Sequence, residues 1–173
     1  MQKNLKEFKE KEAIFIDANI FLHHAFDVNP ISVQFLKKVE SSNIKAYTSA
    51  LVIEEVMFKL IMQSASNLLD KVTLQDVKGL LKESHNREKI FKPVLEYRSY
   101  IDVLKDFGLV ILDVTDKDMI TALQRAKEFG LIMADAVHIG VMERKGITHM
   151  ASSDSDFRSM KDIALWSPET RNV

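Results

Sequence analysis

Short apolar runs rich in β-formers recur along the chain: AIFI at 13–16, IKAYT at 44–48, LVIL at 109–112, ITHMA at 147–151 and IALW at 163–166. Each is apolar on successive residues rather than alternating, the pattern of a strand buried on both faces of a parallel sheet. Segments with helical spacing separate them. Together they predict an α/β fold, a three-layer α/β/α sandwich around a central parallel five-stranded sheet.

Several helix ends are marked. Asn29 before Pro30 reads as N-cap and first helical position, and Val33, Leu36 and Val39 follow at helical spacing, which predicts a helix over 30–40. Ser49 caps a second that runs to about Ile61. Thr115 with Asp118 resembles a capping box, and Gly130 stands where a left-handed terminal residue is wanted, so a helix covers about 116–129. Another covers about 133–145 and stops at Gly146. The stretch 63–107 has no strand pattern and reads as a helical insertion, with helices around 73–82 and 86–107 and Pro93 near the start of the second.

At 173 residues the chain predicts a single domain spanning 1–173. Charged residues at 28% beside 46% hydrophobic ones fit a folded globular chain and exclude a disordered one. No run approaches the ~20 apolar residues of a membrane span. The charged opening MQKNLKEFKEKE lacks the apolar segment of a secretory signal, so a cytoplasmic protein away from the membrane is expected. With no cysteine, disulfides, thiolate metal sites and a cysteine nucleophile are excluded. The five glycines form neither GxGxxG nor GxxxxGK[ST], which removes the usual nucleotide loops, and GxSxG is missing too.

A net charge of −1 gives no overall field toward nucleic acid. Within the insertion, however, Lys78, Lys82, Arg87, Lys89, Lys92, Arg98 and Lys105 outnumber Glu83, Glu88, Glu96 and Asp102. A charged helix face is ordinarily just solvated. The other reading is a phosphate-contacting wall, with Lys82, Arg87, Lys89, Lys92 and Arg98 as nucleic-acid contacts and Tyr97 and Tyr100 stacking on bases.

Four acids stand out by position: Asp17 after the first strand, Glu54 in the helix after the second, Asp135 at a helix start, and Asp154 after ITHMA. Ligands of an open parallel sheet bind outside the strands' carboxyl ends, so these side chains can converge there. Clustered carboxylates repel unless a cation sits among them, and an all-oxygen set suits Mg²⁺ or Mn²⁺. That arrangement supports phosphoryl transfer, which suggests a nuclease.

FIDANIFL at 15–22, SALVIEEV at 49–56, MADAVHIGVMERKG at 133–146 and SSDSDF at 152–157, in this order, resemble the PIN domain family. The resemblance implies a metal-dependent ribonuclease whose acidic site is Asp17, Glu54, Asp135 and Asp154, holding Mg²⁺ or Mn²⁺. Asn19 matches the polar residue that orients the first Asp, and Ser152 matches the family's Thr or Ser before the last motif. Asp156 either helps hold the metal or caps the next helix; both readings stand. Glu55 cannot share the face of Glu54, because adjacent helical residues point about 100° apart, and Glu54 is taken because it falls in the motif position.

Small PIN proteins of this size are most often VapC-like toxins, which implies RNA as substrate, an antitoxin partner and a homodimer. The longer segment between Glu54 and Asp135 departs from that pattern and leaves two alternatives: an RNA-processing nuclease and a catalytically silent RNA- or protein-binding module. An aspartyl-phosphate phosphohydrolase would want a second acid two positions after Asp17, where Asn19 stands. His138, three residues after Asp135, could approach the metal, but a lone helical histidine is ordinarily a satisfied core or surface residue and ligand status is not assigned to it; Met57, Met119 and Met142 are read as fillers of core gaps, and Trp166 as core.

Overall fold

A computed structural model describes residues 2–9, 11–41, 44–69 and 72–169. Among the described residues six parallel strands form one sheet in the order β1-β6-β5-β2-β3-β4. They are β1 (Lys3–Asn4), β2 (Ile14–Ile16), β3 (Ala46–Ser49), β4 (Val110–Leu112), β5 (His149–Ala151) and β6 (Ala164–Ser167). The helices are α1 (Ala18–Ala25), α2 (Pro30–Ser41), α3 (Ala50–Ser66), α4 (Leu74–Leu80), α5 (Ser84–Asp106), α6 (Asp116–Phe129) and α7 (Met133–Lys145).

The sheet has six strands where five were expected. The extra one lies in the charged opening and is too short to carry an apolar pattern. Two apolar side chains just beyond it anchor it to the sandwich: Leu5 is buried, and the Phe8 ring meets Phe35 and Trp166 edge to face. At the other edge β4 has one neighbour among the described residues, and Val110 is exposed, so burial on both faces does not extend there. Helix α1 comes directly after β2, with Asp17 alone between them as its N-cap, a residue that the sequence offers as a site acid. Met142 is buried in the core, whereas Met119 is exposed.

The insertion is helical, and α5 holds Pro93 in its interior. It docks on the sandwich through aromatic side chains. The Tyr97 hydroxyl donates to the Phe21 carbonyl at 2.7 Å, Tyr100 donates to the Glu40 carboxylate, and His24 stacks on Tyr100 at 4.3 Å. Both tyrosines are thereby engaged within the chain, which corrects the expectation that they form a free stacking surface.

Helices α6 and α7 fold back on each other through Gly130, which adopts φ 72° as the left-handed terminal residue of α6. The Thr115–Asp118 capping box is present, and Asp118 also accepts from Arg144 of α7 at 2.7 Å. Burial opposes ionisation of Asp118, but the Arg144 and Thr115 hydrogen bonds outweigh it and hold its pKa below the ordinary carboxylate value. Gly140 of α7 lies against the Asp118 backbone, where a Cβ would sit 2.5 Å from the carbonyl oxygen. This close approach sets where the first turn of α7 stands, and that turn carries Asp135. Among the described residues no helix is long and apolar enough to cross a membrane.

Candidate metal centre

Asp17 ends the central strand and caps α1. Its Oδ1 accepts from the Ala18 amide at 2.7 Å, and its Oδ2 accepts from both the Asn19 amide and the Ser152 hydroxyl, the latter at 2.6 Å. Two donors fill Oδ2, while Oδ1 keeps a free lone pair. The same two polar residues hold the loop after β5. Ser153 N donates to Asn19 Oδ1 at 3.0 Å and Asp154 N to Ser152 Oγ at 2.9 Å, while Asp156 N donates to Asp154 Oδ1 at 2.8 Å. Asn19 and Ser152 thus lock two distant corners of the chain together around Asp17.

Asp135, Asp154 and Asp156 each offer a carboxylate oxygen, and the three atoms lie within 4.8 Å of one another. Asp135 and Asp154 are half-buried and Asp156 is exposed. Burial raises the Asp135 pKa to about 7, reinforced by the charges of Asp154, Asp17, Glu55 and Asp156. Burial likewise raises Asp17, against its hydrogen bonds and with added repulsion from Asp154. Asp17, Asp135, Asp154 and Asp156 therefore belong to one electrostatic cluster. Its hard oxygen donors, crowded enough to hold a proton near neutrality, fit Mg²⁺ or Mn²⁺.

The structure brings Glu55 to this cluster and leaves Glu54 outside it. Glu54 is exposed; Glu55 is half-buried, and burial together with the Asp17 charge raises its pKa. The helix explains the exchange. Val52, Val56 and Leu60 are buried, and residue 55 lies about 60° from residue 52 around the axis, whereas residue 54 lies on the opposite side. That signal was available in the spacing of the apolar residues.

His138, which the sequence leaves between a packed residue and a neighbour of the metal, lies beside Asp17. It is fully buried, its Nε2 lies 4.0 Å from Asp17 Oδ1, and neither ring nitrogen has a hydrogen-bond partner among the described residues. Burial lowers its pKa to about 4, so the imidazole is neutral.

The basic residues of the insertion do not join the cluster. Lys82, Arg87, Lys89 and Lys92 are exposed on the insertion. Arg87 donates to the carbonyls of Leu81 and Lys82, and Arg98 pairs with Asp102 at 2.6 Å. The groups that lower the Glu55 pKa are His138 and then Lys59, neither of them on the insertion.

The sequence from residue 14 to residue 163 matches the PIN domain family. The chain belongs to the PIN domain family. No curated protein matches the sequence. Solved structures share the PIN fold at low identity. One is a toxin–antitoxin complex from Klebsiella pneumoniae, with a TM-score of 0.58 at 13% identity, covering 90% of this chain and 98% of that one. Another is VapC20 from Mycobacterium tuberculosis, described as a sarcin-ricin loop cleaving toxin, with a TM-score of 0.56 at 18% identity over 86% and 95% of the two chains. A third is the DNA-bound VapBC of Salmonella typhimurium, at 0.58 and 12% over 91% and 99%.

The raised Asp135 pKa makes a testable statement about this PIN domain. A folded-state value of about 7 lies above the ordinary 3.8. The stability this group contributes is therefore full below pH 4 and is lost as pH rises through 7. In metal-free protein, the melting-temperature advantage of Asp135→Asn over the native chain is expected to be smallest near pH 4, to grow as pH rises and to level off above about pH 7. A difference that stays flat across that range contradicts the clustering.

Proposed function

We propose that this PIN domain is a metal-dependent endoribonuclease with Asp17, Glu55, Asp135 and Asp154 as its working residues. The convergence of carboxylates from four separate segments on one locus carries the reading. Asp135, Asp154 and Asp17 Oδ1 would hold Mg²⁺ or Mn²⁺, with Asp156 at the exposed rim. A bound ion would neutralise phosphodiester charge and lower the pKa of a coordinated water. Asn19 and Ser152 keep Asp17 in one orientation, as groups that hydrogen-bond metal ligands commonly do. Glu55, whose proton affinity is raised, takes the proton of the attacking water.

The aspartyl-phosphate alternative is disfavoured by the donors on Asp17, which occupy one carboxylate oxygen fully and engage the other. A role as the toxin of a pair, with an antitoxin-like protein partner and a homodimer, belongs to the same reading. It is supported by the toxin–antitoxin complexes among the fold's neighbours. Copurification with the product of an adjacent reading frame tests the partner, and sedimentation tests the dimer.

The direct experiment is cleavage of single-stranded and duplex RNA with Mg²⁺ or Mn²⁺, with and without chelator, beside a melting curve. Cleavage is expected only with metal. A cation at 100 times its Kd is expected to add about 2.7 kcal/mol of stability, a rise of ~5–10 °C at ~2–4 °C per kcal/mol. Cleavage that persists in chelator overturns the metal-dependent reading. RNA binding without cleavage in any metal leaves the silent binding module as the function.

A further inference from the structure

We propose that His138 supplies a nitrogen donor, through Nε2, to the cation held by the acid cluster, making the centre a mixed oxygen–nitrogen site. The inference rests on the metal-dependent reading above and adds a residue to it. An imidazole buried for packing alone ordinarily hydrogen-bonds, and a buried polar group left without a partner costs about 1–3 kcal/mol. His138 has two such nitrogens. Its ring packs against Phe15 at 5.8 Å, a contact that a phenyl group would make as well. Packing therefore gives no reason for nitrogen at this place.

The position of Nε2 does. At 4.0 Å from Asp17 Oδ1 the pair is too far apart for a hydrogen bond. Donors bonded to one ion at about 2.0–2.2 Å can be at most about 4.4 Å apart, so the two atoms can share a cation. Oδ1 is also the Asp17 oxygen that keeps a free lone pair, since Asn19 and Ser152 both donate to Oδ2. On α7, Asp135 and His138 stand three residues apart on one face. Helices of metal-binding bundles use that same spacing to aim a carboxylate and an imidazole at one ion.

An imidazole donor shifts preference toward later divalent ions such as Co²⁺ relative to Mg²⁺. Two measurements on the full chain test this. Pulsed EPR of bound Mn²⁺ is expected to show ¹⁴N coupling from a directly bonded imidazole in the native protein and none in His138→Phe. Calorimetry is expected to show the Co²⁺-to-Mg²⁺ affinity ratio falling about tenfold or more in the same variant. Bound Mn²⁺ without nitrogen coupling, coupling that survives in His138→Phe, or an unchanged ratio in the folded variant overturns the assignment. If His138→Phe fails to fold, the spectrum of the native protein decides alone. Absence of any bound Mn²⁺ overturns the metal-dependent reading itself and this inference with it.

Discussion

Glu55→Gln is expected to lower RNA cleavage by ~10²–10⁴-fold, the contribution of one positioned general base, while Glu54→Gln stays within about twofold of the native rate. The two residues are adjacent and chemically identical, so the comparison isolates position. Glu55 is half-buried beside Asp17, Asp135 and His138, whereas Glu54 is exposed. Single-turnover cleavage of a labelled RNA in Mn²⁺ reads the difference. Loss in Glu54→Gln with a normal Glu55→Gln would reverse the assignment.

Asp17→Asn and Asp154→Asn are expected to fall by at least as much as Glu55→Gln, and their melting temperatures separate the causes. Asp17 accepts three hydrogen bonds, so an amide there sets one donor against another and disturbs the corner that Asn19 and Ser152 close. Among the described residues, Asp154 accepts from the Asp156 amide alone. Asp154→Asn is therefore the cleaner probe: cleavage is lost while metal-free stability is held or raised, because a repelling charge has gone.

Gly140→Ala is expected to destabilise the protein by about 2–3 kcal/mol, within the range for forcing extra volume into a packed interface. That corresponds to a fall of ~4–12 °C in melting temperature for a chain of this size. The added methyl group would stand 2.5 Å from the Asp118 carbonyl oxygen, and a backbone atom cannot turn aside as a side chain can. Asp118 is further held by Thr115 and Arg144, so α6 gives way only by breaking those bonds. Gly79→Ala is the control. It lies in α4 with nothing within 4 Å of its added Cβ, and the greater helix propensity of Ala is expected to leave stability unchanged or raise it by up to about 1 kcal/mol. A Gly140→Ala protein as stable as the native one would show that α6 and α7 are not locked at this contact.

Much of the fold was legible because its signals are local. Apolar runs marked five of the six strands, and Thr115, Asp118, Gly130 and Gly146 marked helix ends through the backbone conformations and hydrogen bonds those residues favour. What escaped was weakly patterned or non-local: the two-residue edge strand held by Leu5 and Phe8, helix α1 with Asp17 alone between it and β2, and the engagement of Tyr97 and Tyr100 by α1 and α2. The choice between Glu54 and Glu55 was within reach, since Val52, Val56 and Leu60 already define the inward face of α3.

By itself the amino-acid order determined the parallel α/β plan and the segments that carry the acids, because strand burial, capping and turn chemistry act over a few residues. Only the tertiary structure decided that Asp17, Asp135, Asp154 and Asp156 share one field, and that His138 lies 4.0 Å from Asp17 without a hydrogen-bond partner among the described residues. The reason is that repulsion and desolvation depend on separations across a hundred residues or more of chain, which close packing sets and sequence spacing does not encode.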